Sequence, residues 1–117
     1  MRDDAPLREP SYLILTSLAA GPRHGYAVIE DVREISAGRV VIGVGTLYTA
    51  IDRLRADGLI EVDREEVVDS RLRRYYRLSD DGTRRLAAET ERLTRHAAAA
   101  RARLNASGRA ALGGGPA

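Results

Sequence analysis

The chain has 117 residues and a formal net charge of +2, with 19 basic residues that are all Arg and no Lys, Cys, Phe or Trp. That length suits one domain with one modest core, and the composition excludes disulfide frameworks, thiol catalysis, cysteine-based zinc sites and a large aromatic cofactor pocket. No apolar run approaches the roughly 20 residues of a membrane helix, and the opening Met-Arg-Asp-Asp-Ala-Pro lacks the apolar stretch of a signal peptide, so a cytoplasmic protein with no membrane partner is expected.

The first helix is predicted over 7–20. Pro10 fits an opening turn, and Leu7, Ile14, Leu15 and Leu18 share one broad apolar face. Gly21-Pro22 stops it, since Pro cannot continue the hydrogen-bond ladder. His24-Gly25-Tyr26 opens a second helix reaching about Ser36, with Val28, Val32 and Ile35 on its inner side. The segment from Gly38 to Gly45 is short, β-branched and bounded by glycines, which reads as a strand-like connector. A third helix follows from about Thr46, a candidate cap, to Asp57; Leu47, Ile51 and Leu54 make its buried stripe and Gly58 its left-handed stop.

The period then changes from helical to two. Leu59–Arg64 and Arg73–Leu78 are strand candidates, joined by a long hairpin tip over 67–72. Ser79 is placed to cap a final helix opening on Asp80-Asp81 and running to about Asn105. In it Leu86, Thr90, Leu93, Ala97, Ala100 and Leu104 alternate at +4 and +3 as a coiled-coil seam does. A seam that long exceeds what one small domain buries, so a second copy of the chain is its natural partner. The fold class expected is mainly α with a small β-hairpin: a winged helix-turn-helix plus a long C-terminal dimerisation helix.

Enzyme chemistry has few carriers here. His24 and His96 lie 72 positions apart, and no phosphate loop or metal-ligand spacing is legible, so neither a cofactor nor a metal is expected. His24, at a helix start, suits a structural hydrogen bond. Charge is uneven, with residues 1–83 at −3 and residues 84–117 at +5, so a nucleic-acid surface has to come from local clustering. Helix 3 turns Thr46, Thr49, Asp52, Arg53 and Ala56 outward, with Tyr48 at the edge; short hydroxyls, a phenol and one Arg suit a major groove. On the hairpin, Arg71, Arg73, Arg74 and Arg77 fall within seven residues. Arg71 at the tip suits a minor groove, whereas Arg74 and Arg77 have cross-strand pairing with Glu61, Asp63 and Glu65 as an open alternative.

Those strings resemble a known family. Leu13-Ile14-Leu15 and Leu18, followed by Gly21-Pro22-Arg23-His24-Gly25-Tyr26, resemble the opening of PadR-family transcriptional regulators. Gly45-Thr46-Leu47-Tyr48, then Ile51, Arg53-Leu54 and Asp57-Gly58-Leu59-Ile60, are similar to the family's recognition-helix signature. Arg73-Arg74-Tyr75-Tyr76-Arg77-Leu78-Ser79 with Gly82 is similar to its wing and following helix start, and the motifs together cover about residues 7–105.

The resemblance implies a short-tailed member: a homodimer that binds double-stranded DNA at a palindromic operator, usually as a repressor, with room for relief by a small-molecule effector of unknown identity. It implies DNA contacts from Thr46, Tyr48, Thr49 and Arg53, with Tyr12 and Tyr26 gripping the backbone, beside Arg71 and Arg73 of the wing. Dimerisation falls to Leu86, Leu93, Ala97, Ala100 and Leu104. The absence of Trp leaves a phenolic-acid or multidrug ligand without support. Expected boundaries are 1–78 for the DNA-binding domain, 79–106 for the dimerisation helix and 107–117 for a flexible tail. The alternative reading is a winged-helix adaptor that uses the same face for a protein partner.

Overall fold

The computed structural model describes residues 5–109, with the side chain of Arg109 left aside. The order is α1 (Glu9–Ala19), β1 (Arg23–His24), α2 (Gly25–Ile35), α3 (Val44–Ala56), β2 (Ile60–Val68), β3 (Arg71–Leu78) and α4 (Asp80–Arg109). The chain divides into two compact units inside α4, the first ending at Ala87 and the second beginning at Ala88. The expected tail over 107–117 is helical up to Arg109, because Ala106 and Ser107 continue the helix and Gly108 is tolerated within it. Residues 110–117 lie outside the described residues.

The first unit is built on the stripes that periodicity marks. Ile14, Leu15 and Leu18 of α1, Val28 and Val32 of α2, and Leu47, Ile51 and Leu54 of α3 are buried with Leu13, Ile42, Leu59, Ile60 and Tyr76. Each such aliphatic stabilises the fold by about 1.5–3 kcal/mol through burial. Ile35, assigned to the same stripe, is exposed instead: it is the last residue of α2, where the chain is already leaving the core.

Three local predictions are corrected. The segment 39–43 forms no strand; it is an irregular connector anchored by buried Ile42, by half-buried Val40 and by the Val40 N–H donating to Ser36 Oγ at 2.9 Å. As a result α3 starts at Val44 with Gly43 at the cap position, which displaces Thr46 from the cap into the first turn. The hairpin tip is two residues, not six. Asp69 and Ser70 sit at φ 52° and 65°, and positive φ at both central positions is what a two-residue hairpin turn requires. The strands therefore run on to Val68 and from Arg71.

The sheet has three antiparallel strands in the order β1-β3-β2. β1, only Arg23 and His24, pairs with Tyr76 and Tyr75. A register shift between Val62 and Arg64 makes Asp63 the extra residue of a bulge. α3 ends in a double hydrogen bond, Gly58 N–H to the Arg55 carbonyl and Leu59 N–H to the Leu54 carbonyl, both 2.9 Å, with Gly58 at φ 76°. This is the Schellman arrangement, and it aims the chain directly into β2.

Ser79 caps α4 as its sequence position suggests. Its Oγ accepts the Gly82 N–H at 2.9 Å and donates to the Gly58 carbonyl at 2.6 Å, while its own N–H donates to the Leu59 carbonyl at 3.0 Å. α4 has 30 residues, about 45 Å at 1.5 Å per residue. Leu86, in the first unit, packs against the winged core.

Candidate nucleic-acid interface

The buried stripe of α3 fixes which side chains it shows. With Leu47, Ile51 and Leu54 turned into the core, Thr46, Thr49 and Arg53 stand exposed on the opposite side and Tyr48 is half-exposed at the edge. Among the described residues Thr46 and Thr49 commit their hydroxyls to no internal hydrogen bond and Arg53 makes no ion pair, so all three retain donors for an external acceptor.

Two of the grooves along this helix hold those side chains. One, of about 620 Å³, runs between the starts of α2 and α3 and the end of the wing, lined by His24, Tyr26, Tyr48, Arg71, Leu72, Arg73 and their neighbours. The other, of about 580 Å³, lies between α1 and α3 and is lined by Arg8, Pro10, Ser11, Thr46, Thr49 and Arg53 among others. Seven of the eight residues expected to meet DNA thus line one groove or the other. Tyr12 does not; it is half-buried on α1 against the core. Arg8 and Ser11 were invisible to sequence reasoning as groove residues, because only the packing of α1 on α3 brings them there.

The wing separates its arginines into two classes. Arg74 Nε donates to Glu65 Oε2 at 2.7 Å, and Arg77 bridges Asp63 at 3.0 Å and Glu61 at 3.1 Å. The cross-strand alternative is therefore what forms for both. Arg64 completes the web, pairing with Asp63 at 3.0 Å and lying 3.9 Å from the Tyr75 ring centroid. The Tyr75 hydroxyl donates to Glu66 at 2.8 Å. Hydrogen bonds from Arg77 and Arg64 hold the Asp63 carboxyl below its ordinary range, and the Tyr75 hydroxyl does the same for Glu66. Arg71 and Arg73 make no ion pair within 4 Å among the described residues. They are the wing's free cations, and both line the larger groove.

His24 takes the structural place expected of it. Its Nδ1 accepts the Ala27 N–H at 3.3 Å and so caps α2, and its ring meets Tyr75 edge-on at 5.4 Å. Burial, and then the charge of Arg73, push its pKa below the ordinary histidine value. An acceptor Nδ1 must be unprotonated, which agrees with that direction. Tyr26 beside it is 65% exposed.

On α4, Leu93, Ala97, Ala100 and Leu104 are solvent-exposed. Leu86 differs from them, serving the core of its own unit. Among the described residues no cluster of His, Asp and Glu could hold a metal ion, and no helix is long and apolar enough to cross a membrane.

Comparison with known proteins bears on this arrangement. Residues 14–88 match the family described as "Transcriptional regulator PadR-like family". A transcriptional regulator of Mycobacterium tuberculosis is 44% identical over 50 residues, covering 43% of this chain and 46% of that protein. The chain spans less than half the length of the curated relatives it matches. A solved PadR family transcription regulator from Clostridium difficile superposes with a TM-score of 0.71 at 22% identity, over 83% of this chain and 99% of that one. Bacillus subtilis PadR, solved in complex with operator DNA, gives a TM-score of 0.62 at 23% identity, over 69% of this chain and 46% of that one.

Proposed function

The chain belongs to the PadR-like family of transcriptional regulators, and from that premise we propose that it is a homodimeric, sequence-specific DNA-binding repressor acting in the cytoplasm on a palindromic operator. The observation that carries the reading is the uncommitted donor set. Thr46, Thr49 and Arg53 on α3, with Arg71 and Arg73 on the wing, line two grooves around one helix while the neighbouring arginines are paired with acids of the opposite strand. In this reading α3 enters the major groove, where Thr49 and Arg53 read base edges and Thr46, Tyr48 and Tyr26 meet the backbone. Tyr12, half-buried on α1, would grip the backbone from its exposed edge. Bacillus subtilis PadR, similar in fold, was solved in complex with operator DNA, and that likeness supports DNA as the partner.

Residues 79–106 supply the dimer, through the exposed Leu93, Ala97, Ala100 and Leu104. A two-fold dimer presents its recognition helices about 34–36 Å apart, one turn of duplex. A small-molecule effector that relieves repression fits this scheme as a third partner. The test is a gel shift on duplex from upstream of the chain's own coding region, repeated across a salt series. Binding with a log–log slope near −0.9 per neutralised phosphate is expected. No shift, or a salt-insensitive one, sinks the reading, and a monomer in sedimentation at micromolar concentration sinks the dimer.

A further inference from the structure

Two large aliphatic side chains at the far end of the wing take no part in the core. Val67 and Leu72 face each other across the hairpin and are 73% and 62% exposed. Opposed residues on one face of an antiparallel pair have Cβ atoms about 4.5–5.5 Å apart, so the two make a single compact apolar block. A solvent-facing hairpin end is more usually polar, and an apolar block there marks a contact surface.

The position of the block says what it meets. Leu72 lines the groove it shares with Tyr26, Tyr48 and Arg71. By strand alternation it stands on the face of β3 that carries Tyr76 into the core. The block thus shares a groove with Tyr48, at the edge of the α3 face assigned above to DNA, and the unpaired Arg71 and Arg73 border it. Glu65 and Glu66, the acids that would repel a phosphate there, are each engaged by Arg74, or by Arg64 and Tyr75.

We propose that Val67 and Leu72 form an apolar wedge that enters the minor groove and opens a base step, bending the duplex; the proposal rests on the DNA-binding reading above. The negative potential of a narrow minor groove draws in Arg71. The aliphatic pair follows and unstacks the step beside it, as wedges of Leu or Ile do elsewhere. Asp69, at the turn, carries the same sign as the phosphates, so the wedge enters by its Val67–Leu72 side rather than by the turn. Specificity then includes a flexible step that no side chain reads by hydrogen bonding.

The experiment measures bending with circularly permuted fragments of the upstream duplex, for the full chain and for Val67→Ser/Leu72→Ser. The unmodified chain is expected to bend the duplex by about 20–90°, and the double variant to lose most of that bend and bind about tenfold more weakly. Its salt slope should not change, since no cation is removed. Val67→Ile with Leu72→Ile, which keeps an apolar wedge, should keep the bend. Both sites are exposed, and an unchanged melting temperature checks the fold. A double serine variant that binds and bends like the unmodified chain overturns the wedge, as does an unmodified chain that binds without bending. Weaker binding with an unchanged bend and fewer copies per duplex also overturns it, and assigns the block to contact between copies. An unmodified chain that retains no duplex sinks the DNA-binding reading itself and the wedge with it.

Discussion

The phenol of Tyr48 on α3 rests against the bare backbone of Gly25 at the start of α2, where a Cβ would stand 2.5 Å from the Tyr48 Oη. One missing methyl therefore sets how Tyr48 lies in the groove it shares with Tyr26 and Arg73.

Gly25→Ala should act on binding as well as on stability. The closest atoms belong to the far end of a half-exposed side chain that can swing aside, and buried Leu47, with Cδ2 at 3.1 Å, has to give by only a few tenths of an ångström, so the cost stays in the overpacking range of about 1–3 kcal/mol. A displaced Tyr48 should weaken operator binding about tenfold, a loss of about 1.4 kcal/mol. Chemical denaturation and a binding titration on the same variant separate the two, and unchanged binding would contradict this geometry.

Gly82→Ala should cost more. A Cβ there would overlap the Leu59 carbonyl oxygen, which is backbone and cannot swing. The first turn of α4 would have to leave the wing base, losing the hydrogen bonds made through Ser79. We expect a destabilisation of 3 kcal/mol or more, in the range kept for severe overpacking and broken buried networks. A melting temperature within a few degrees of the unmodified chain would refute it.

Ala37→Gly should stabilise. Ala37 closes α2 at φ 54°, with its N–H on the Glu34 carbonyl at 3.1 Å and the Gly38 N–H on the Arg33 carbonyl at 2.7 Å. A left-handed residue with a Cβ costs about 1–2 kcal/mol. The freer unfolded chain of a glycine returns about 0.4–1 kcal/mol of that. The net gain expected in denaturant unfolding is about 0.5–1 kcal/mol.

Stability should fall on the acid side of the ordinary histidine value of 6.5, through His24. Burial and Arg73 lower its pKa in the folded state, so the unfolded chain takes up the proton first. The contribution is then fully present above 6.5 and lost as pH drops from there through the lower folded value. His24→Asn keeps a capping side chain without a titrating ring, and its stability curve should be flatter below pH 6.5 than that of the unmodified chain.

Arg71→Ala and Arg73→Ala should each reduce the log–log salt slope of binding by about 0.9. Arg74→Ala and Arg77→Ala should leave the slope nearly unchanged, because Glu65, Glu61 and Asp63 already engage those guanidiniums. Exposed pairs of this kind add little to stability, so the fold should survive all four substitutions. Equal slopes for the four would show that the ion pairs open when the wing docks.

Much of the helical part was legible because one-sided burial leaves a period. Leu47, Ile51 and Leu54 are buried as their spacing requires, Gly58 has the positive φ expected of a helix stop, and Ser79 caps the helix after it. The β part was less legible for identifiable reasons. β1 is two residues long and exists because β3 offers it an edge, which no local pattern encodes. The turn at Asp69-Ser70 lacks the Asn-Gly signature, so the strands ran further than their residue types announced. At the candidate interface the sequence marked a stretch of arginines on the wing. Dividing them into paired and free needed the register, Glu65 opposite Arg74 and Glu61 opposite Arg77.

Ser79 joins three elements at one point, through Gly58 at the end of α3, Leu59 at the foot of β2 and Gly82 in the first turn of α4. The consequence is mechanical. A torque applied to the first turn of α4 cannot be absorbed in a slack linker, because none separates it from the other two. It reaches the foot of α3 and the wing together, as a crank turns two arms on one axle. Whatever tightens or loosens that turn retunes the spacing of both elements of the proposed interface at once.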